Sequence, residues 1–451
     1  MKIILALLLF FLPYHAFIVT VMQCKYNLDT NILRFWKELV VIGLLLYVFF
    51  TTYKRHDWSL AKLYEKNTLL GLITAFVISS AIYIFFPFFE LKPAAVLGFR
   101  YDVFFFFTML IGLFAVGIQQ DMRFLLRTVF IATFGILIIF LPWYVFGDIS
   151  KMASHFGYSD QVSTYFANQC LSFSQNVEGH HRFQATFGGP IRMSVYFTIV
   201  GTLFAGWMLT NTRFSLRKKY IISVIFGFLL LAGIFYSYSK TSMLGVVFSA
   251  ALFIFLSYKY VYRHEIGKKF YLGLTALVTT PILLVTLFKA ELFLHIGAMV
   301  NRLENLSKSV EMFFYNPIGY GLGIAGPASQ IGNSIESAGS WQIATSTTTT
   351  VHRFLPENWF VQILLEQGII GFSIFMALMI LIGWRLIVRL KQYRDFMTVG
   401  ITTAYFALCF MSLFTHGFEE AATSYMLFLF IGIILAESMH QEKHFKQKKK
   451  K

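Results

Sequence analysis

Five short stretches of this chain place cations, carboxylates and hydroxyls at spacings that suit anion binding and proton removal. In EGHHRFQATFGGP, residues 178–190, Arg182 precedes the run Gly188, Gly189, Pro190. Such a run bends the chain into a helix, and a helix N-terminus favours anions. The plain alternative is an ordinary helix start with Arg182 at the plane of the lipid headgroups. YSYSKTSMLG, at 236–245, surrounds Lys240 with Ser239, Thr241 and Ser242. Hydroxyls around a cation suit an anionic ligand; equally, a lysine in a tight turn at a membrane edge reaches out to water. Arg302 heads NRLENLSKSVEMFFYNPIGYGLG at 301–323, whose apolar positions suit a helix lying on a membrane surface ahead of a Pro-Gly turn. VHRFLPENWFVQILLEQGIIGF, at 351–372, gathers His352, Arg353 and Glu357 within six residues. Here Pro356 is predicted to start a helix, with Glu357 in its first turn. Arg100 and Asp102 stand in ELKPAAVLGFRYDVFFFF at 90–107, either as an interfacial ion pair or as a further cation on a cavity wall.

This set suits a phosphorylated donor whose leaving group gains negative charge as it departs. Arg182, Lys240 and Arg302 would neutralise negative charge that grows as the leaving group departs, often the greatest single contribution to catalysis. An Arg fork matches phosphate oxygens two at a time, and Lys acts as a point charge. Arg100 and Arg353 would extend the same binding surface. Glu357, or His352 behind it, would take the proton from an attacking hydroxyl. The dipole of a helix favours an acid in its first turn, so Glu357 also fits a simple cap. Glu366 lies nine residues further on, roughly 13 Å along a helix axis. A carboxylate at that depth faces a bundle interior and has a partner.

The elements that must position these residues are membrane helices. About twelve apolar stretches are each long enough to cross a bilayer core of about 30 Å. They fall at 3–22, 38–53, 67–88, 103–119, 124–146, 190–210, 220–238, 242–258, 270–293, 359–384, 397–415 and 423–438. Backbone polar groups find no water in that core, so helices carry the crossings. The composition agrees, with 57% hydrophobic residues and 13% charged. The expectation is an all-α, polytopic integral membrane protein: one membrane domain over 1–442, then a basic tail over 443–451. The gaps at 53–66, 119–127, 211–219, 258–269 and 384–396, with Lys2 and the tail, hold 25 of the 38 Lys and Arg residues. Cytoplasmic segments keep positive charge during insertion, so this set and both termini are placed in the cytoplasm. Two long loops, 147–189 and 294–358, then fall on the outer face, as do six of the eleven histidines, His155, His180, His181, His295, His352 and His416. Long connections in a compact fold are usually functional or lack order.

Several function classes recede. The net charge of +16 comes largely from topology and from the tail KHFKQKKKK, and does not point to nucleic acid. That tail reads as a solvated end; contact with anionic headgroups is the other reading. There is no nucleotide-binding Gly loop in a strand–helix setting, no HExxH and no Cys cluster. Residues 1–22 lack an A-x-A-like cleavage site and read as a retained helix. Cys24 and Cys170 both fall outside, where a disulfide is permitted, but nothing in the sequence brings them together. Phe suits lipid contact, and Tyr and Trp suit interfaces; Trp341 and Trp359 stacking on sugar faces is the minority reading.

In order, RFxxTFGGP, S-K-T-S in a tight turn, an Arg-led helix into NPxGYGLG, and ENWxxQxLLExGxxG resemble the O-antigen ligase and polymerase superfamily of bacterial envelope proteins. The resemblance covers about residues 180–375. It implies an outer-face, metal-independent membrane glycosyltransferase that uses a polyprenyl-diphosphate-linked glycan and no cofactor, in the bacterial inner membrane. Lys240 stands where the family usually has Arg in an S-R-T turn, Arg302 matches the Arg that opens the large-loop helix, and Arg182 matches a basic outer-loop residue of the polymerases. Glu357-Asn358 stands where ligases often carry His-Asn, which favours polymerisation of lipid-linked repeat units into a surface polysaccharide. A flippase and a chain-length regulator would be its neighbours, with membrane lipid around it. The ligase, moving finished glycan to lipid A core or protein, is the first alternative. A transporter or flippase for the same lipid-linked sugars is the second, although transporters often show inverted repeats and none is evident here. With direct attack of the acceptor hydroxyl, the anomeric centre inverts.

The charge asymmetry makes a direct prediction. A single cysteine at position 330, in a chain without its native cysteines, reacts with an impermeant maleimide added from outside. Labelling only after the inner face is opened would reverse the topology.

Overall fold

The computed structural model describes residues 1–55, 68–85, 92–115, 118–158, 176–177, 180–212, 214–263, 296–330 and 356–448. Apart from a two-residue antiparallel pairing, Asn176–Val177 with His180–His181, its regular elements are helical. We label them α1 (Lys2–Lys25, with a 3-10 turn at Leu12–Tyr14), α2 (Asn31–Arg55), α3 (Thr68–Ile84), α4 (Lys92–Phe114), α5 (Ile118–Phe146), α6 (Ile149–His155), α7 (Pro190–Thr210), α8 (Leu216–Tyr236), α9 (Lys240–Leu256), α10 (Ile296–Tyr315), α11 (Trp359–Tyr393), α12 (Phe396–Met411) and α13 (Ala421–Lys448). Among the described residues, seven helices are long and apolar enough to cross a membrane, and three shorter apolar helices, Thr68–Ile84, Phe396–Met411 and Ala421–Ala436, accompany them. The predicted span at 270–293 lies outside the described residues. Several bounds differ from expectation. α4 starts at Lys92, eleven residues before the predicted 103, which places Arg100 and Asp102 within a helix, and α5 starts at Ile118, six before the predicted 124. α2 starts seven residues earlier than the predicted 38, which brings Lys37 and Glu38 into a helix, and α11 runs on to Tyr393. The helix of α13 also continues through the first residues of the basic tail, to Lys448.

Contacts sort the connections into the two sets that the charge pattern defines. In the basic set, Lys2 pairs with Asp121 at 2.6 Å, and Tyr262 packs on Phe396 with ring centres 5.7 Å apart. In the opposite set, Arg182 donates to Ser237 O at 2.8 Å, and Trp359 N donates to Ser412 O at 3.0 Å. Each of these contacts joins two connections of the same set. Cys24, at the end of α1 in the second set, is disulfide-bonded. A disulfide there fits a non-cytoplasmic face. Cys409 is free, and Cys170 lies outside the described residues.

Small residues let the central helices touch. A Cβ on Gly112 of α4 would run into Leu429 O of α13, and one on Gly206 of α7 would stand 2.6 Å from Phe396 O. Lipid gives helices no hydrophobic reason to associate, so close backbone approach of this kind carries much of the packing.

One helix is broken. Gly368 in α11 has φ 58° and ψ −167°, a conformation costly for residues with a side chain. The segment 316–330 after α10 enters this break. Tyr320 N and Gly321 N donate to the carbonyls of Leu365 and Glu366, both at 2.9 Å, and Ile369 N donates to Pro317 O at 2.9 Å. The Tyr83 hydroxyl of α3 donates to Ile318 O at 2.5 Å. Glu366 does face the interior, and its partners are backbone groups: Oε1 accepts from Gly323 N at 3.0 Å and from Ala325 N at 3.2 Å. Beside it, Gln367 Nε2 donates to Asp102 Oδ2 at 2.8 Å, and Ser80 Oγ donates to Gln367 Oε1 at 3.1 Å. Irregular backbone at membrane depth persists only where protein satisfies it, and these bonds do so.

Glu366→Ala leaves two buried N–H groups without an acceptor, at about 1–3 kcal/mol each. The expected result is a clearly lower melting temperature in detergent, with Glu366→Gln less affected because it keeps an acceptor oxygen. A Glu366→Ala protein that melts like the wild type would remove this carboxylate from the support of the segment.

Candidate active site

The Arg182 loop is built onto the tight turn between α8 and α9. Phe183 and Phe187 are buried. Phe183 N donates to Tyr236 O at 2.9 Å, Thr186 Oγ1 to Pro13 O at 2.7 Å, and Tyr144 OH to His181 O at 2.5 Å. The turn itself is set by Tyr238 at φ 49° and by Ser239, which caps α9 by accepting from Ser242 N at 3.4 Å. Ser194 of α7 and Ser242 join their hydroxyls at 2.7 Å. Arg182, bonded to Ser237 O, and Lys240, the first residue of α9, therefore flank one turn. Both are half-buried.

Arg302 Nε and Glu357 Oε2 form an ion pair, with the side chains 39% and 38% exposed, so solvent still reaches both. Glu357 is not a helix cap. α11 begins at Trp359, and Asn358 caps it, accepting from Phe360 N at 3.0 Å and Val361 N at 3.2 Å. Glu357 sits one residue outside that cap at φ 48°. The helix start expected at Pro356 moves because the Asn358 side chain satisfies the first N–H groups. Trp359 is fully buried against Phe418, with ring centres 5.8 Å apart, so it packs the interior and offers no face to a sugar. His352, Arg353 and Trp341 lie outside the described residues.

Arg100 pairs with Glu38 at 2.6 Å, and not with Asp102, which faces Gln367. Arg100 also lies over the Tyr101 ring at 5.3 Å. Lys37 joins this network, 3.4 Å from Glu38 and 2.7 Å from His15 Nε2. Arg100 is thus one member of a largely buried charge network, not a lone cation at the interface.

Arg192, Gln362 and Glu419 were not singled out by the sequence, and His416 entered only as one of the outer histidines. Arg192 stands in the first turn of α7, just past the Gly-Gly-Pro run. HGFEE at 416–420 joins α12 to α13. A histidine and two acids in so short a link between apolar helices was the available signal. His416 Nδ1 lies 3.9 Å from Glu419 Oε1. Burial, helped by the nearby Arg192 charge, pushes the His416 imidazole down to about 3. Burial pushes the Glu419 carboxyl up to about 8, against the opposing pull of Arg192. Among the described residues no three His, Cys, Asp or Glu side chains gather as a metal site.

Residues 225–376, about a third of the chain, match the model of the O-antigen ligase family, Wzy_C. The matched stretch contains Lys240, Arg302, Glu357 and the segment that enters α11. It marks this part of the chain as a domain of the O-antigen ligase and polymerase superfamily. Comparison with curated proteins gives no match.

The His416 environment makes a stability prediction. A histidine held neutral, with its folded-state pKa below the ordinary 6.5, contributes stability that is present above that pH and is lost as pH falls toward about 3. The loss is at most about 1.4 kcal/mol per pH unit. Between pH 6.5 and 4, the melting temperature of the wild type is expected to fall more steeply than that of His416→Gln. Parallel curves would show that this imidazole is not held neutral.

Proposed function

We propose that this protein is a membrane glycosyltransferase that moves a glycan from a polyprenyl diphosphate to a sugar hydroxyl at the outer end of its bundle. The finer reading is polymerisation: the acceptor is another lipid-linked repeat unit. The observation that carries the proposal is the Arg302–Glu357 pair at the mouth of α11, inside the stretch that matches the family. A cation and a carboxylate in contact, both reachable from solvent, supply the two things the transfer needs. Arg302, together with Arg182 and Lys240 of the α8–α9 turn, stabilises charge on the departing diphosphate. Glu357 accepts the proton of the attacking hydroxyl, with His352 as the second candidate. The acceptor oxygen bonds to the anomeric carbon as the bond to the phosphate oxygen breaks, and its electron pair leaves with the lipid diphosphate. The donor arrives activated, so no nucleotide is required.

Glu357, where ligases often have His, favours polymerisation. The family model's own description, O-antigen ligase, favours transfer of finished glycan to a terminal acceptor. A gel of surface polysaccharide from a deletion strain separates the two. Loss of polymerisation leaves core plus one repeat unit, whereas loss of ligation leaves bare core and accumulated lipid-linked polymer.

In the complemented strain, Arg302→Ala and Arg182→Ala are expected to lower chain extension about a hundredfold or more, as befits a few kcal/mol of lost charge stabilisation. Arg302→Lys is also poor, because the fork is lost, and Lys240→Arg is tolerated. Glu357→Gln keeps the fold and loses extension. Full polymer length from Arg302→Ala at normal abundance would exclude that residue from the chemistry. An active Glu357→Gln with an inactive His352→Ala would move the proton acceptor to His352.

A further inference from the structure

Around the outer ends of α11 and α12 lies a group of buried polar atoms with no hydrogen-bond partner among the described residues. Both ring nitrogens of His416, both carboxyl oxygens of Glu419, both amide atoms of Gln362 and Nε1 of Trp359 belong to it. Gln362 and Trp359 are fully buried, and Glu419 is 6% exposed. Gln362 approaches Glu419 closely enough to favour its ionised form, though not in hydrogen-bond geometry. Gln362 also lies against Gly326 of the segment that enters α11. Buried polar groups are nearly always bonded, and leaving one unbonded costs about 1–3 kcal/mol. Several such atoms in one place call for a polar occupant.

The chemistry of the atoms says which kind. An amide, an imidazole and a carboxyl each offer both a donor and an acceptor when uncharged, and the indole offers a donor. Burial holds His416 neutral and raises Glu419 so that most of it is protonated at neutral pH. Such a lining, with the Arg192 charge beside it, suits the hydroxyls of a polyol, and it differs from the exposed Arg302–Glu357 pair proposed for the diphosphate. The Arg302–Glu357 pair adjoins it. Glu357 is two residues from Trp359, which bonds through its backbone to Ser412 of the His416 connection.

We propose that His416, Glu419, Gln362 and Trp359 form a sugar subsite, which binds the hydroxyls of an uncharged glycan ring beside the diphosphate site. The subsite rests on the transferase reading above and adds to it the place where a sugar ring is held. The ring belongs either to the lipid-linked donor or to the acceptor end of the glycan, and both present the same hydroxyl chemistry.

The test uses full-length protein in lipid nanodiscs and two probes: undecaprenyl diphosphate, and the lipid-linked repeat unit extracted from a deletion strain. Glu419→Gln, His416→Phe and Gln362→Leu are compared with Arg302→Ala. The subsite variants are expected to bind undecaprenyl diphosphate as the wild type does, and the sugar-bearing lipid at least about tenfold more weakly. Arg302→Ala is expected to weaken both. Where the subsite serves the acceptor end, binding of the sugar-bearing lipid as donor is unchanged while the KM for added acceptor glycan rises by a similar factor; that result also supports the proposal. Wild-type affinity for both probes with no change in KM would overturn the subsite and leave the atoms to water alone, as would an equal loss for both probes. If no form of the protein binds either probe, the transferase reading itself fails.

A check without substitutions guards against variants that do not fold. As pH rises through about 8, where Glu419 ionises, wild-type interaction with the sugar-bearing probe changes and that with undecaprenyl diphosphate does not. The groups that act on Glu419 electrostatically are Arg192 of α7, Asp102 of α4, Glu366 of α11, Tyr101 of α4, and Glu420 and His416 of its own connection. A pH profile identical for the two probes, with a KM for added acceptor glycan that is also unchanged through that range, overturns the proposal.

Discussion

The break in α11 is the constraint on which the outer end of this molecule depends. A helix interrupted at membrane depth exposes backbone groups that lipid cannot satisfy. Here the segment 316–330 fills the gap, and Glu366 binds the N–H groups of Gly323 and Ala325 from within the helix it interrupts. The segment follows α10, which carries Arg302, and the broken helix starts beside Glu357. Seating one in the other therefore ties the two halves of the ion pair to a common support. Gly368 is required at the break because its φ is positive and because Ile318 O lies where a Cβ would stand.

Charge is distributed unevenly over this end, and the difference has chemical meaning. Arg302, Arg182 and Lys240 are each partly exposed; Arg182 and Lys240 flank the α8–α9 turn, and Arg302 pairs with Glu357 at the start of α11. Arg100, Lys37 and Glu38 are largely buried and pair with one another, an arrangement that holds α2 and α4 together and leaves less charge for a ligand. His416 and Glu419 are buried beside Arg192 and tend toward their neutral forms. A lipid diphosphate bearing a neutral sugar presents the complementary pattern of one strongly anionic part and one polar, uncharged part.

The apolar helices were legible because a bilayer imposes length and apolarity on every crossing, but their ends were not: α2, α4 and α5 start seven, eleven and six residues before the predicted spans. Local order misled at two points. Pro356 and Glu357 look like the first turn of a helix, yet Asn358, a stronger cap, starts it three residues later, at Trp359. Arg100 and Asp102 look like neighbours that pair, yet Glu38, sixty-two residues away, takes the arginine. Glu366 was recognisable as a buried carboxylate, but its partners were not, because they are backbone N–H groups, which every residue but proline carries. Arg192, Gln362 and Glu419 become a group only when α4, α7, α11 and the last connection meet, and no local spacing encodes that meeting.

Reconstitution with a single substrate tests the central claim most directly. Purified protein in liposomes is mixed with the lipid-linked repeat unit alone, with no nucleotide sugar and no lipid A core. The account predicts a ladder of longer glycans, with one undecaprenyl diphosphate released for each unit added. Release that begins only when lipid A core or an acceptor protein is supplied would contradict polymerisation, and no release under either condition would contradict a glycosyltransferase at this site.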